Sequence, residues 1–117
     1  MIVSKRIYEA PGPGDGYRVL VDRLWPRGIT REKAAIDEWA KEIAPSEELR
    51  RAFAGNSANW DEFERRYRAE LAAPGSQPML VRLRSIARKG RLTLLFAKRD
   101  ETRNNAIVLR AVLDERH

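Results

Sequence analysis

The sequence predicts an α/β fold: a small, mostly parallel sheet covered by helices, in one domain. Three observations carry this. Val19-Leu20-Val21 and Leu92-Thr93-Leu94-Leu95-Phe96-Ala97 are nearly continuous apolar runs, as in strands buried on both faces. The segments between them carry apolar residues at helical spacing. The order that results is strand, strand, helices, strand, helix. The 117 residues fit one domain. A chain of this size buries roughly two-thirds of its unfolded surface and needs no covalent staple.

Residues 2–9 alternate weakly through Val3, Lys5 and Ile7, which predicts a half-buried first strand. Pro11-Gly12-Pro13-Gly14-Asp15-Gly16 follows. A phosphate loop opens a helix, but this loop feeds a strand, so it is expected to be a turn or flap. Residues 17–22 form the second strand, and Pro26 ends regular structure after it. A short helix begins near Thr30, a suitable N-cap. Residues 36–41 are read as a short strand, although Trp39 and Ile43 also fit a helix.

Pro45-Ser46-Glu47-Glu48 starts a helix, with Ser46 as cap and the two acids at its positive end. Leu49 and Phe53 share its inner face, and Gly55 is expected to end it. Asn59, with Glu62 three residues on, has the spacing of a capping box. Trp60, Phe63, Tyr67 and Leu71 then form one stripe, expected to be core, with a base-stacking platform as the functional alternative for its aromatics. Asp61–Arg65, Glu62–Arg66 and Glu64–Arg68 are spaced as ion pairs on the exposed face. Residues 78–89 form another helix, with Pro78 in its first turn. Leu80, Leu83, Ile86 and Ala87 face inward, and Arg82, Arg84, Arg88 and Lys89 make a basic outer face. The strand at 92–97 and a helix led by Asn104-Asn105 complete the chain, the helix burying Ala106, Leu109, Val112 and Leu113.

Composition removes several chemistries. There is no Cys, hence no disulfide, thiolate nucleophile or thiolate zinc site. The one His is His117, which argues against a Ser-His-Asp triad or a His-based metal site. No apolar run approaches the ~18 residues of a membrane helix, and Met1–Arg6 lacks the apolar core of a signal peptide. A cytoplasmic location is the expectation. The net charge of +6, carried mainly by Arg, favours anionic partners, although genomic base composition also enriches Arg.

The candidate site is where two strands end in charge. The second strand runs into Asp22-Arg23-Leu24-Trp25-Pro26-Arg27-Gly28, and the last into Lys98-Arg99-Asp100. In parallel α/β sheets, ligands sit beyond the carboxyl ends of the strands. If the strands are neighbours, one cleft collects both sets. Arg23, Trp25, Arg27, Lys98, Arg99 and Asn104 are the candidate ligand-binding residues, with free amides of the last helix as a further anion donor. Asp22 and Asp100 are the candidate acid/base pair. Asp22, set among cations, is expected to stay ionised. Two carboxylates among four cations make a poor magnesium site, and no cofactor is indicated. The alternative is an ion-pair network that pins two loops, with Asp22 accepting from Arg99 and Asp100 from Arg23 or Arg27.

From Asp15 to Gly28 the sequence resembles the signature of the YeaO-like proteins, domain of unknown function 488. The similarity continues through Ile36-Asp37-Glu38-Trp39, Ala44-Pro45-Ser46, Phe53, Trp60, Phe63, Arg66-Tyr67, Thr93-Leu94-Leu95 and Asn104-Asn105-Ala106. It spans essentially the whole chain. It implies a small, single-domain bacterial α/β protein and brings no activity with it. Some relatives carry His where this chain has Asn105, which weakens a proton-transfer role there.

Three functions follow. The first is binding of a phosphorylated or nucleotide-like anion in the strand-end cleft, with or without acid/base chemistry. The second is a nucleic-acid-binding module, with residues 46–53 and 59–71 imitating a helix-turn-helix and the Arg-rich helices tracking phosphates. The acids beside the Arg residues of the second helix argue against it. The third is an interaction or oligomerisation protein without a ligand.

Overall fold

A computed structural model describes residues 1–54 and 59–115. The expected helix end at Gly55, the loop that follows it and His117 lie outside the described residues.

Among the described residues four strands make one parallel sheet: β1 (Ile2–Arg6), β2 (Tyr17–Leu20), β3 (Glu38–Trp39) and β4 (Leu92–Phe96), in the order β1-β4-β2-β3. The α/β fold read from the sequence is the fold observed. β4 is central; Ser4 and Val19 flank Leu94 in register, and all five of its residues are buried. That double coverage explains its unbroken apolar run. β3 is shorter than expected, with two residues paired to Val19 and Leu20.

One face of the sheet presents Val19, Val21, Leu92, Leu94 and Phe96 to the main core. The helices α3 (Trp60–Ala72), α4 (Gln77–Lys89) and α5 (Asn105–Asp114) contribute Tyr67, Leu71, Leu80, Leu83 and Leu109 to that core. The other face carries Ile7, Leu20 and Leu95 beneath the short helix α1 (Arg31–Ala34) and the two residues Trp25 and Trp39. The Pro/Gly loop returns the chain from β1 to β2 without a helix. Its Asp15 carbonyl accepts from Thr93 Oγ1 at 2.6 Å. Gly16 has φ +67°, and a Cβ there would lie 2.2 Å from the Arg91 carbonyl oxygen, so only glycine fits.

Arg18 is buried in β2, which the apolar reading of that strand did not anticipate. Its guanidinium reaches Asp15 at 2.5 Å and the Ala34 and Ala35 carbonyls at 2.7 and 3.0 Å. It thereby ties the loop to the end of α1, and each of its side-chain nitrogens has a partner. The Gly12 amide, then Lys5 and Arg18, hold the Asp15 carboxyl below the usual carboxylate range. The loop's anion position is therefore filled by its own Asp15.

The caps are largely as read. Thr30 Oγ1 accepts from Lys33, Ser46 Oγ from Leu49 at the start of α2 (Glu47–Ala52), and Asn104 Oδ1 from Ile107. Asn59 is the exception. It precedes α3 without a side-chain cap bond, and Glu62 is turned outward to Arg65. Of the pairs expected on α3 only Glu64–Arg68 forms; Arg66 reaches Glu48 instead. Among the described residues no helix is long and apolar enough to cross a membrane.

Candidate functional site

β2 and β4 are adjacent and parallel, so their carboxyl ends lie side by side. Val21 N still donates to Leu95 O at 3.0 Å. One step further the pairing changes character: Ala97 N donates to the Asp22 carboxylate at 2.9 Å. Asp22 thus caps the end of the sheet with its side chain. From the first turn of α5, Asn105 Nδ2 donates to Val21 O at 2.8 Å and to Asp22 Oδ1 at 3.1 Å. Burial pushes the Asp22 carboxyl above the ordinary carboxylate range, against the Asn105 and Ala97 donors. The cations expected to hold it down are not among its direct partners. Its direct partners are neutral N–H groups, and desolvation dominates.

The turn after Asp22 is fixed by its aromatics. Trp39 Nε1 donates to Asp22 O at 2.7 Å, and Trp25 Nε1 to Ile29 O at 2.8 Å. The two indoles pack edge to face at 5.5 Å, with the Arg31 guanidinium 4.7 Å from the Trp25 ring. Gly28 supplies the positive φ of +77° that closes the turn. Tyr8 Oη donates to the Arg27 carbonyl at 2.7 Å, and Arg23 Nε to the Pro45 carbonyl at 2.8 Å. The backbone is thereby held, while the Arg27 side chain is exposed.

This turn is one wall of a cavity of about 610 Å³. Aromatic residues from the end of α2 and from α3 line it as well. Phe53 and Trp60 flank Phe63, at ring distances of 5.9 and 5.6 Å. The stripe read as core therefore divides: Tyr67 and Leu71 are fully buried, whereas Trp60 and Phe63 are half-buried and face the cavity. Among the described residues four cations line the space, Arg23, Arg27, Arg50 and Lys98, against one acid, Asp22. Arg50 is paired with Glu47 at 2.6 Å; among the described residues the other three form no ion pair.

Of the residues singled out in the sequence, Asp22, Arg23, Trp25, Arg27, Lys98 and Asn104 line this cavity; Arg99 and Asp100 do not. Asp100 closes its own turn. Its carboxylate accepts from the Thr102 and Arg103 amides and from Thr102 Oγ1, which hold it below the usual carboxylate range. Arg99 is exposed, and neither Asp22–Arg99 nor Asp100–Arg23 nor Asp100–Arg27 forms. Asn104 is buried, its carbonyl capping α5 and its amide donating to Asp100 O at 2.9 Å. It supports the wall. Tyr8, Arg50, Phe53, Trp60, Phe63 and Asn105 were not identified as site residues from the sequence. Trp60 and Phe63 carried a signal as the aromatic stripe whose alternative was base stacking, and Asn105 as a departure from the family pattern.

On the basic face of α4, Arg82 is paired with Glu38, and Arg84 donates to the Val112 and Leu113 carbonyls. Among the described residues no group of three or more His, Asp or Glu side chains is placed to hold a metal ion.

Comparison with known proteins agrees with the fold-wide resemblance. The model of a family described as the inactive DUF488-N3 subclade matches residues 1–117. The uncharacterized protein YeaO of Escherichia coli K12 is 49% identical over 108 residues, 92% of each chain. Uncharacterized proteins of Mycobacterium bovis and Mycobacterium tuberculosis are 39% identical over 111 residues, 95% of this chain and 92% of theirs. No solved structure matches the chain. With a family model covering its full length and a relative at this identity, the chain belongs to the YeaO-like DUF488 family, within the subclade described as inactive.

Proposed function

We propose that this protein binds a phosphorylated, nucleotide-like anion in the cavity beyond β2 and β4, and that it holds its ligand without transforming it. One observation carries this reading. Arg23, Arg27 and Lys98, with no acidic partner among the described residues, line a cavity that Phe53, Trp60 and Phe63 also line. Like charges gathered around one space oppose folding unless an anion enters it. A phosphate carrying close to two negative charges at neutral pH meets that need. A planar ring laid on Phe53, Trp60 and Phe63 gains stacking of about 1–3 kcal/mol.

Several features support binding over catalysis. Both Asp22 oxygens already accept from the protein. Asp100 lies outside the cavity lining. The matching family model is described as inactive. A cytoplasmic location fits such a ligand and is part of the same proposal.

Trp25 and Trp60 report occupancy, because both line the cavity. Tryptophan fluorescence is titrated with adenosine 5′-monophosphate, adenosine and inorganic phosphate. Saturable binding of the nucleotide, tighter than of either fragment, is expected. Absence of saturation at millimolar nucleotide overturns the proposal. Salt-sensitive binding of duplex DNA with no mononucleotide binding transfers the function to the basic surface.

A further inference from the structure

The floor of the cavity has a definite hydrogen-bonding polarity. Asp22 Oδ2 accepts from Ala97 N at 2.9 Å, and Oδ1 from Asn105 Nδ2 at 3.1 Å. The second Asn105 Nδ2 hydrogen goes to Val21 O at 2.8 Å. Every N–H of this group is therefore engaged. What is left is acceptor capacity: the remaining lone pairs of the Asp22 carboxylate and the Asn105 Oδ1, which takes no hydrogen bond from any described residue. The Asn105 orientation is fixed chemically. Turned over, its oxygen would face Val21 O and Asp22 Oδ1, two acceptors. No buried side-chain polar atom among the described residues lacks a partner, so Asn105 Oδ1 is not sealed from solvent, and Asn105 is among the residues that line the cavity.

We infer that the ligand presents uncharged hydrogen-bond donors to Asp22 and Asn105, so that this floor selects a nucleotide or sugar phosphate over a bare phosphate. The inference rests on the anion-binding reading of the same cavity. A charged donor is unfavoured, since Arg23, Arg27, Arg50 and Lys98 line the same cavity and would repel an ammonium group. An anion is equally unsuited to the floor itself, where it would meet a carboxylate and a carbonyl with no free N–H. The cavity thus sorts a ligand by its parts. The anionic end belongs with the cations, the flat ring with Phe53, Trp60 and Phe63, and a neutral donor with Asp22 and Asn105. Sugar hydroxyls and the N–H groups of a base both supply such donors.

The test compares ligands on the unaltered protein by isothermal titration calorimetry. Adenosine 5′-monophosphate is set against its 2′,3′-dideoxy analogue, which lacks the sugar hydroxyls, and against purine riboside 5′-monophosphate, which lacks the amino group. A hydrogen bond to a charged acceptor corresponds to about a 10- to 100-fold change in Kd. At least one analogue is expected to weaken by that factor, and which one identifies the donor. In Asp22→Asn, where one acceptor becomes a donor, the discrimination should shrink severalfold. Equal affinity for all three nucleotides overturns the inference and leaves anion binding standing. Persistence of full discrimination in a folded Asp22→Asn also overturns it. No nucleotide binding at all removes both readings. The analogue comparison needs no variant, so misfolding of Asp22→Asn cannot obscure the answer.

Discussion

Arg27 separates a binding surface from a stabilising one. Its side chain is exposed and forms no ion pair among the described residues. Its backbone is held independently, by Tyr8 Oη on the carbonyl and by the turn at Gly28. Arg27→Ala therefore removes a guanidinium while the turn remains. The stability change should stay within about ±0.5 kcal/mol, as for other surface substitutions. With an unfolding entropy of ~2.1 cal/mol/K per residue, this chain of 117 residues shifts its Tm by ~4 °C per kcal/mol. The melting point should then move by ~2 °C or less. A guanidinium–phosphate hydrogen bond is worth about 1.5–3 kcal/mol, so Kd for adenosine 5′-monophosphate should rise about 10- to 150-fold. Calorimetry gives the affinity and a thermal melt gives the stability. A variant that melts much lower, or binds as tightly as the parent, refutes a ligand-holding role for Arg27.

Further outcomes follow from the packing and the titrating groups. Tyr67→Phe removes a fully buried hydroxyl that donates to Ile43 O at 2.6 Å; the orphaned carbonyl should cost about 1–3 kcal/mol, read as a Tm lower by ~4–12 °C. Gly16→Ala forces a Cβ onto the Arg91 carbonyl at 2.2 Å and a left-handed φ onto alanine; a loss of more than ~2 kcal/mol is expected by urea unfolding, and a neutral result refutes the close approach. Asp22 gives a pH signature. Its folded pKa lies above the unfolded value, so the folded state binds the proton more tightly and stability falls as pH rises through that window. The Tm difference between Asp22→Asn and the parent should therefore move in favour of the variant from pH 4 to pH 7. A difference independent of pH contradicts the burial of that charge.

The frame of the molecule was legible because it is written locally. Leu92 to Phe96 had to be central, since a strand covered on both sides reads as continuous apolar residues. Thr30, Ser46 and Asn104 declared helix starts through side chains that act within three residues. What failed was decided by tertiary contacts. Arg18 is compatible with a buried strand only because Asp15 and two carbonyls from the end of α1 wait for it. Helical periodicity placed Trp60, Phe63, Tyr67 and Leu71 on one face correctly. It could not tell that the first two would face a cavity and the last two the core. Asp100 was grouped with the site by adjacency to Lys98 and Arg99. The Asp100-Glu101-Thr102 sequence already suited a local turn in which the carboxylate caps its own backbone. Arg50 and Asn105 reach the cavity from helices remote in sequence, and no local pattern announces that.

The most direct measurement is an amide and indole chemical-shift titration of the ¹⁵N-labelled protein with adenosine 5′-monophosphate. If the strand-end cavity is the binding site, the largest shifts fall on the amides of Asp22, Arg27, Ala97 and Asn105 and on the indole N–H groups of Trp25 and Trp60, and they saturate together. Shifts confined to the basic face of α4 around Arg88, or none at millimolar nucleotide, contradict a binding site at the carboxyl ends of β2 and β4.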